Sequence, residues 1–276
     1  MHLKNKQHKG KVIIAGAGPG DPELLTLKAL RYLQRADVVI TDRLVSEIIL
    51  EEYVNKEALV LHVGKQCRKG ASTAQSTINE LMVDYALQGK FVVRLKGGDV
   101  SVFSNVLDEL QALLANEIEY EIVPGVTAAL GAAAYAGIPL TARDHSTAVR
   151  FLTYYKMNVL NDNEWKDLAQ TDDTLVFYMS SDTLDLLIAK LIENNIGEDK
   201  HVAIIEQATT PLQNVYNCNV HDYAEKFGNS NYVSPTLVII GKVAALHQQF
   251  QWKENSNSKE NYFAPVAKRK DISVRA

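Results

Sequence analysis

The sequence has few of the residues that cross-link small or secreted folds. Its 276 residues include two cysteines, Cys67 and Cys218. They lie far apart and form no Cys-x-x-Cys pair, which argues against a disulfide framework or a structural zinc site and indicates free thiols in a reducing cytoplasm. No metal is expected. Long apolar runs are also missing, and none approaches the ~20 residues that span a bilayer. Neither charge dominates: 29 Lys and Arg stand against 33 Asp and Glu, a net charge of -4. Bulk attraction to nucleic acid or to an anionic membrane is therefore not expected. No short-period repeat is visible. The basic opening, Met1 to Lys9, runs into a strand and not into a signal-peptide core, so residues 1–10 read as a disordered leader.

What is present suits a large globular core. Hydrophobic residues make up 46% and charged residues 22% of the chain, which excludes wholesale disorder. Short apolar runs alternate with helical patterns. Strands are expected at 12–15, 37–41, 59–63, 91–95 and 120–123, with helices at 24–35, 73–88 and 106–115 between them. That βαβ rhythm predicts a mostly parallel, helix-covered sheet. Ile138-Pro-Leu-Thr-Ala-Arg-Asp-His-Ser146 breaks the rhythm and reads as an interdomain link. Beyond it, strands are expected at 149–153, 174–178, 201–206, 214–218 and 236–240, with helices at 182–194 and 222–227. Residues 214–219 alternate in polarity, so the second sheet should be mixed. After Trp252 the chain turns polar, without apolar periodicity, and a flexible tail is expected over 253–276. The expected class is α/β with two α/β domains, at 11–141 and 142–252.

The stretch Val12-Ile-Ile-Ala-Gly-Ala-Gly-Pro-Gly-Asp-Pro-Glu-Leu-Leu-Thr26 carries the most information. An apolar run ends in a glycine-rich turn and passes directly into a helical pattern, an arrangement that delivers a ligand to the carboxyl edge of a parallel sheet. Glycines at 16, 18 and 20 break the G-x-G-x-x-G spacing, because Asp21 occupies the last position. An acid there opposes a pyrophosphate, and Pro19 and Pro22 remove two N–H donors. A ligand that is not a phosphate, and one able to carry positive charge, fits better.

This stretch and Ala36-Asp-Val-Val-Ile-Thr-Asp-Arg-Leu-Val-Ser46 resemble the tetrapyrrole methylase superfamily, and within it the uroporphyrinogen-III C-methyltransferases. The resemblance continues through Val63-Gly-Lys65, Arg94-Leu-Lys-Gly-Gly-Asp99, Val123-Pro-Gly-Val-Thr-Ala128, Ala134-Tyr-Ala-Gly-Ile-Pro-Leu-Thr141, Leu175-Val-Phe-Tyr-Met179 and Ser234-Pro-Thr-Leu-Val-Ile-Ile-Gly241. It implies the tetrapyrrole methylase fold, with a mostly parallel N-terminal sheet, a mixed C-terminal sheet and the active site in the cleft between the domains. It implies two methyl transfers from S-adenosylmethionine to C2 and C7 of uroporphyrinogen III, giving precorrin-2 for sirohaem or cobalamin. A homodimer is implied too, with no nucleic-acid or membrane partner. A separate oxidation and iron-insertion domain in front of the first strand is not expected.

Matched position by position, the resemblance assigns donor binding to Pro19, Gly97, Gly98, Asp99, Val102, Thr127, Ala128, Met179 and Ala208. It assigns proton acceptor and donor roles to Asp42 and Lys65. Residue chemistry alone leaves other readings open. Asp42 could pair with Arg43 or cap a loop, Lys65 could anchor substrate without moving a proton, Asp99 could close a tight turn, and Met179 could fill a core. Arg43, Lys65, Arg68, Lys69, Arg94, Arg143 and Arg150 read singly as solvated charges, and together they suit a substrate with eight carboxylates.

The chain departs from the family pattern after Asp99. Relatives continue as P-F-x-F-G-R-G-G-E-E, whereas here the chain reads Val100-Ser-Val-Phe-Ser-Asn-Val-Leu-Asp-Glu109, with Ser104 expected to cap a helix. Ala142-Arg-Asp144 stands where H-R-D is common. Two rivals follow. One is a methylase of the same superfamily acting on a later corrin, diphthine or ribosomal RNA, and the other is a nucleotide-binding oxidoreductase or a silent nucleotide-binding module.

Overall fold

A computed structural model describes residues 9–63, 73–155 and 160–263. Lys65, Arg68, Lys69 and Cys67 lie outside the described residues, as does the leader before Lys9. Lys9 and Gly10 are part of the fold: the Lys9 ammonium donates to the Asn116 carbonyl at 2.9 Å, and the Gly10 N–H donates to the Ala86 carbonyl at 2.7 Å. The chain divides into two compact units, one ending at Thr127 and one spanning Ala128–Tyr262, with Phe263 grouped with the first.

The first unit contains β1 (Lys11–Gly16), α1 (Leu27–Leu33), β2 (Val38–Thr41), α2 (Glu47–Glu52), β3 (Leu59–His62), α3 (Gln75–Leu87), β4 (Val92–Lys96), α4 (Val106–Ala115) and β5 (Glu119–Val123). Its sheet runs β3-β2-β4-β1-β5, and every pairing is parallel. The three inner strands are buried almost throughout, which is why they read as apolar runs, broken in β4 by Arg94 and Lys96, and the two edge strands are mixed. Side chains alternate between two cores. Ile13, Val39 and Val93 pack in one, and Val12, Ile14, Ile40 and Val92 pack in the other with Ile78 and Met82 of α3.

The second unit contains α5 (Ala128–Tyr135), β6 (Val149–Thr153), α6 (Asp162–Gln170), β7 (Thr174–Tyr178), α7 (Leu184–Glu193), β8 (His201–Glu206), β9 (Asn214–Asn219), α8 (Tyr223–Phe227), β10 (Thr236–Gly241) and α9 (His247–Phe250). Its sheet runs β6-β7-β10-β8-β9 and is mixed: β6 and β7 are parallel and the other pairings antiparallel. The polar sequence of α6 hides it from apolar periodicity, but Asn161 and Glu164 form a capping box that starts it. Cys218 is a free, buried thiol, and burial pushes its pKa up to about 11. Among the described residues, no helix is long and apolar enough to cross a membrane.

Two boundaries differ from the sequence expectation. The units divide at 127/128 and not at 141/142, because α5 packs on the second sheet: Ala129, Ala132 and Ala133 join Val176, Ala203, Ile205 and Ile239 in one core. An alanine-rich helix can approach a sheet closely on almost any face, and its sequence does not say which sheet.

The expected tail is also not free over its first part. Residues 255–262 lie along β9 and the loop before it. The Asn255 side chain pairs with the backbone of Val215, accepting from its N–H at 2.7 Å and donating to its carbonyl at 3.0 Å. The Ser256 and Asn257 N–H groups donate to the Gln213 carbonyl and to Asn214 Oδ1, at 3.1 and 2.8 Å. The Tyr262 N–H donates to Gln207 Oε1 at 2.7 Å. β9 is an edge strand, and an edge leaves backbone groups that need partners. Polar side chains supply them here without any apolar pattern. Ending the chain at Lys253 should therefore lower the melting temperature by roughly 4 °C or more, since losing several such bonds costs about 2 kcal/mol. Calorimetry of the shortened and full chains checks this, and equal melting temperatures contradict it.

Candidate active site

The glycine-rich turn after β1 meets two other loops backbone to backbone. Gly18 and Gly98 form an isolated antiparallel bridge, with Gly18 N–H to Gly98 carbonyl at 3.1 Å and Gly98 N–H to Gly18 carbonyl at 2.8 Å. A Cβ on Gly16 would stand 2.6 Å from the Gly98 carbonyl oxygen, and one on Gly125 would stand 2.4 Å from the same atom. No side chain fits at either place. Glycine therefore serves here to let the loops after β1, β4 and β5 touch at the carboxyl edge of the sheet. Asp21, which breaks the nucleotide-type spacing, caps the short turn Pro22–Leu24 by accepting from the Glu23 N–H at 2.9 Å.

Asp99 locks this junction. Its Oδ1 accepts from the Ser101 N–H at 2.8 Å and from the Ser101 hydroxyl, and its Oδ2 accepts from the Gly125 N–H at 2.9 Å. Burial pushes its carboxyl up, but the bonds from Ser101, Gly125 and Val100 outweigh this and hold the pKa below the ordinary value. Asp99 thus joins the β4 loop to the β5 loop, whatever else it binds. Pro19 sits between Gly18 and Gly20, and Gly98 has a φ of 71°. Thr127 is buried, and Ala128 begins α5, where the Ala129 N–H donates to the Tyr178 hydroxyl at 3.0 Å.

Beside this junction lies a charged pocket. Asp42, Arg43, Arg94, Lys96, Gly97 and Val102 are among its lining residues. Arg94 is not a solvated charge. It is 2% exposed on central strand β4, and it donates to Glu109 Oε1 at 2.9 Å and to Asp42 Oδ1 at 2.5 Å. Lys96 donates to both oxygens of Glu109 at 2.8 Å. Glu109, on α4, has no exposed surface. Burial and then the field of Arg94 lower the Lys96 pKa, whereas Arg94 is raised: burial opposes its charge, and Asp42 and Glu109 more than offset that. Asp42 is thus paired with Arg94 and held at the end of β2, with 30% of its side chain exposed to the pocket mouth.

Two readings from the sequence need revision at this site. Arg94 is buried, because alternation along a central strand turns both cations of Arg94-Leu-Lys96 toward one face. Glu109, the last residue of the altered stretch after Asp99, is their common counter-ion. Two cations two apart in an otherwise apolar central strand were the available signal. Ser104 does not cap α4; its hydroxyl donates to the Val100 carbonyl, and the N-cap is Asn105, left-handed at φ 54° with no side-chain cap bond.

The remaining positions that the resemblance assigns to the donor lie in the second unit. Met179 follows β7 and is 54% exposed with φ 56°, so it is not core filler. Ala208 follows β8 and is buried, between Gln207 at φ 48° and Thr209 at φ 69°. Both strands pair with the start of β10, Tyr178 opposite Leu237 and Glu206 opposite Thr236, so Met179 and Ala208 share one edge of the sheet. Lys65 lies outside the described residues. Among the described residues, no cluster of His, Cys, Asp and Glu could hold a metal.

Two measurements follow from the charge arrangement. Glu109→Gln leaves Arg94 and Lys96 short of a buried counter-ion and should cost about 3 kcal/mol or more in urea unfolding. The stability that Asp99 contributes is present above the unfolded carboxyl pKa of about 4 and is lost as the pH falls through its lower folded value. Asp99→Asn should therefore flatten the acid limb of stability against pH; an unchanged limb contradicts the assignment.

Comparison with known proteins agrees with this architecture. The family model for Tetrapyrrole (Corrin/Porphyrin) Methylases matches residues 11–224. A siroheme synthase of Pseudomonas fluorescens (strain SBW25) is 44% identical over 249 residues, 90% of this chain and 53% of that protein; the chain spans about half the length of the curated relatives it matches. The crystal structure of a uroporphyrin-III C-methyltransferase from Thermus thermophilus complexed with S-adenosylhomocysteine superposes with a TM-score of 0.71 at 33% identity, covering 86% of this chain and 100% of that one. A cobalt precorrin-4 methyltransferase superposes with a TM-score of 0.74 at 30% identity, covering 85% and 95%. A parallel sheet with a glycine junction at its carboxyl edge, a mixed second sheet, and a family match over most of the length lead to one conclusion: the chain belongs to the tetrapyrrole methylase family.

Proposed function

We propose that this chain transfers two methyl groups in turn from S-adenosylmethionine to C2 and C7 of uroporphyrinogen III, giving precorrin-2 for sirohaem or cobalamin, and that it works as a cytoplasmic homodimer. The observation that carries the reading is the pairing of the glycine junction with the charged pocket beside it, in a chain similar to a methyltransferase complexed with S-adenosylhomocysteine. The residues fit such a donor. The junction offers close-packed backbone without bulky side chains, Ala208 is small, and Met179 is exposed.

Pro19, Gly97, Gly98, Asp99, Val102, Thr127, Ala128, Met179 and Ala208 would hold the donor, which supplies a methyl group on a cationic sulfur. Alignment of that methyl with the acceptor carbon supplies most of the rate. The acceptor then sheds a proton, and Asp42 would take it. Arg94 fixes the Asp42 carboxylate by a bond to Oδ1, which leaves Oδ2 for the substrate side. Lys65 would act as the proton donor. Arg94 and Lys96 are buried against Asp42 and Glu109, so of the lining cations Arg43 would meet a substrate carboxylate.

A later corrin is the second reading, favoured by the likeness to the cobalt precorrin-4 enzyme and by Asn105 standing where relatives have arginine. Mass spectrometry after incubation with uroporphyrinogen III and donor decides between them. Gain of two methyl groups is expected; no gain, with methylation of a later corrin instead, overturns the first reading. Asp42→Asn should slow single-turnover methylation about a hundredfold while leaving donor affinity unchanged, and an unchanged rate removes Asp42 from proton transfer. Sedimentation at micromolar concentration should give the mass of two chains.

A further inference from the structure

The loop between β8 and β9 holds Ala208 in a backbone that it does not adopt unaided. Gln207 and Thr209, on either side of Ala208, both have left-handed φ, and Thr209 is β-branched. Such a conformation persists only where its surroundings over-determine it. Part of the restraint is internal: the Thr210 hydroxyl donates to the Gln207 carbonyl at 2.8 Å, and the Thr209 N–H donates to Gln213 Oε1 at 2.7 Å. Outside the loop, the Pro235 carbonyl accepts from the Gln207 N–H at 2.7 Å, the Tyr135 carbonyl accepts from Gln213 Nε2 at 3.3 Å, and residues 255–262, far away in sequence, add further bonds.

This segment grips the loop on both flanks. Before Ala208, the buried Gln207 amide donates to the Glu260 carbonyl at 2.9 Å and accepts from the Tyr262 N–H at 2.7 Å. After it, the Ser256 N–H donates to the Gln213 carbonyl, Asn214 Nδ2 donates to the Ser258 carbonyl at 3.0 Å, and Asn255 pairs with Val215. A buried carboxylate anchors the arrangement. Glu206, fully buried at the end of β8, accepts from the Val233 N–H at 2.7 Å, from Asn214 Nδ2 at 3.2 Å and from the Tyr216 hydroxyl at 3.3 Å. Its cation is Lys259 of the segment, at 3.3 Å, which also donates to the Tyr216 hydroxyl at 2.7 Å. Removing the segment would leave Glu206 without a positive partner and the Gln207 amide without two bonds.

We propose that residues 255–262 are a positioning strap for the methyl donor: by fixing Gln207 and Gln213 they hold Ala208 in its donor-binding conformation. Asn255, Lys259 and Gln207 are positioning residues, since they act through Ala208. The inference rests on the donor role proposed for Ala208. It deepens that reading by making donor affinity depend on a C-terminal segment outside both sheets. Linkage adds a second consequence. If strap docking strengthens donor binding, donor binding must strengthen strap docking by the same factor.

The test uses the full chain and S-adenosylhomocysteine as probe. Asn255→Ala with Lys259→Ala should raise its dissociation constant by calorimetry about five- to tenfold, and should raise the donor KM with kcat at saturating donor retained. In the unaltered chain, saturating S-adenosylhomocysteine should slow hydrogen exchange at the Ser256, Asn257 and Tyr262 N–H groups. That arm needs no variant, so it stands even if the double variant folds poorly. Binding by the unaltered chain with no change in exchange at these groups overturns the strap while leaving the donor reading intact, as does a variant whose affinity stays within about twofold. No binding by the unaltered chain overturns the donor reading and the strap with it.

Discussion

Backbone contact at the carboxyl edge of the first sheet is the constraint on which the rest of that unit depends. Three loops, after β1, β4 and β5, meet where Gly16 and Gly125 leave no room for a Cβ against the Gly98 carbonyl. Asp99 then ties two of them together through the Gly125 N–H. Once this contact is made, the register of the inner strands and the placement of Asp42, Gly97 and Val102 around one pocket are set together. A larger residue at Gly16 or Gly125 would have to move a main chain, which a packed parallel sheet resists.

Both units solve the same electrostatic problem with a buried carboxylate. In the first, Glu109 reaches Arg94 and Lys96, and Arg94 passes the order on to Asp42. In the second, Glu206 reaches Lys259 of the strap. A carboxylate taken out of water is costly when alone and tolerable when fully bonded. Each therefore demands its partners, and each places a residue of the proposed chemistry: Asp42 in the first unit and Ala208 in the second. The difference lies in where the cations come from. Those of Glu109 are neighbours on one strand, whereas that of Glu206 comes from beyond the last helix.

Much of this was legible because strands write themselves as short apolar runs. Strands 149–153, 174–178 and 201–206 were read with their observed limits, and α4 at 106–115 likewise. The mixed character of the second sheet followed from the alternation in β9. α2 and α6 escaped because they are short or polar and bury few side chains. The burial of Arg94 was misread because a single charged residue is normally solvated; only the positions of β4 and α4 bring Glu109 to it.

Local chemistry in the sequence determined the elements and their class: apolar runs, glycines where a Cβ cannot fit, and an acid capping the first turn. It also determined the family, since ordered motifs survive as letters. Tertiary structure alone decided which sheet receives α5, since its alanines suit either. It alone decided that residues 255–262 are held, because their bonds go to backbone atoms and amides some forty or more positions away. Hydrogen-bond partners at that separation carry no periodicity, so no pattern along the chain announces them.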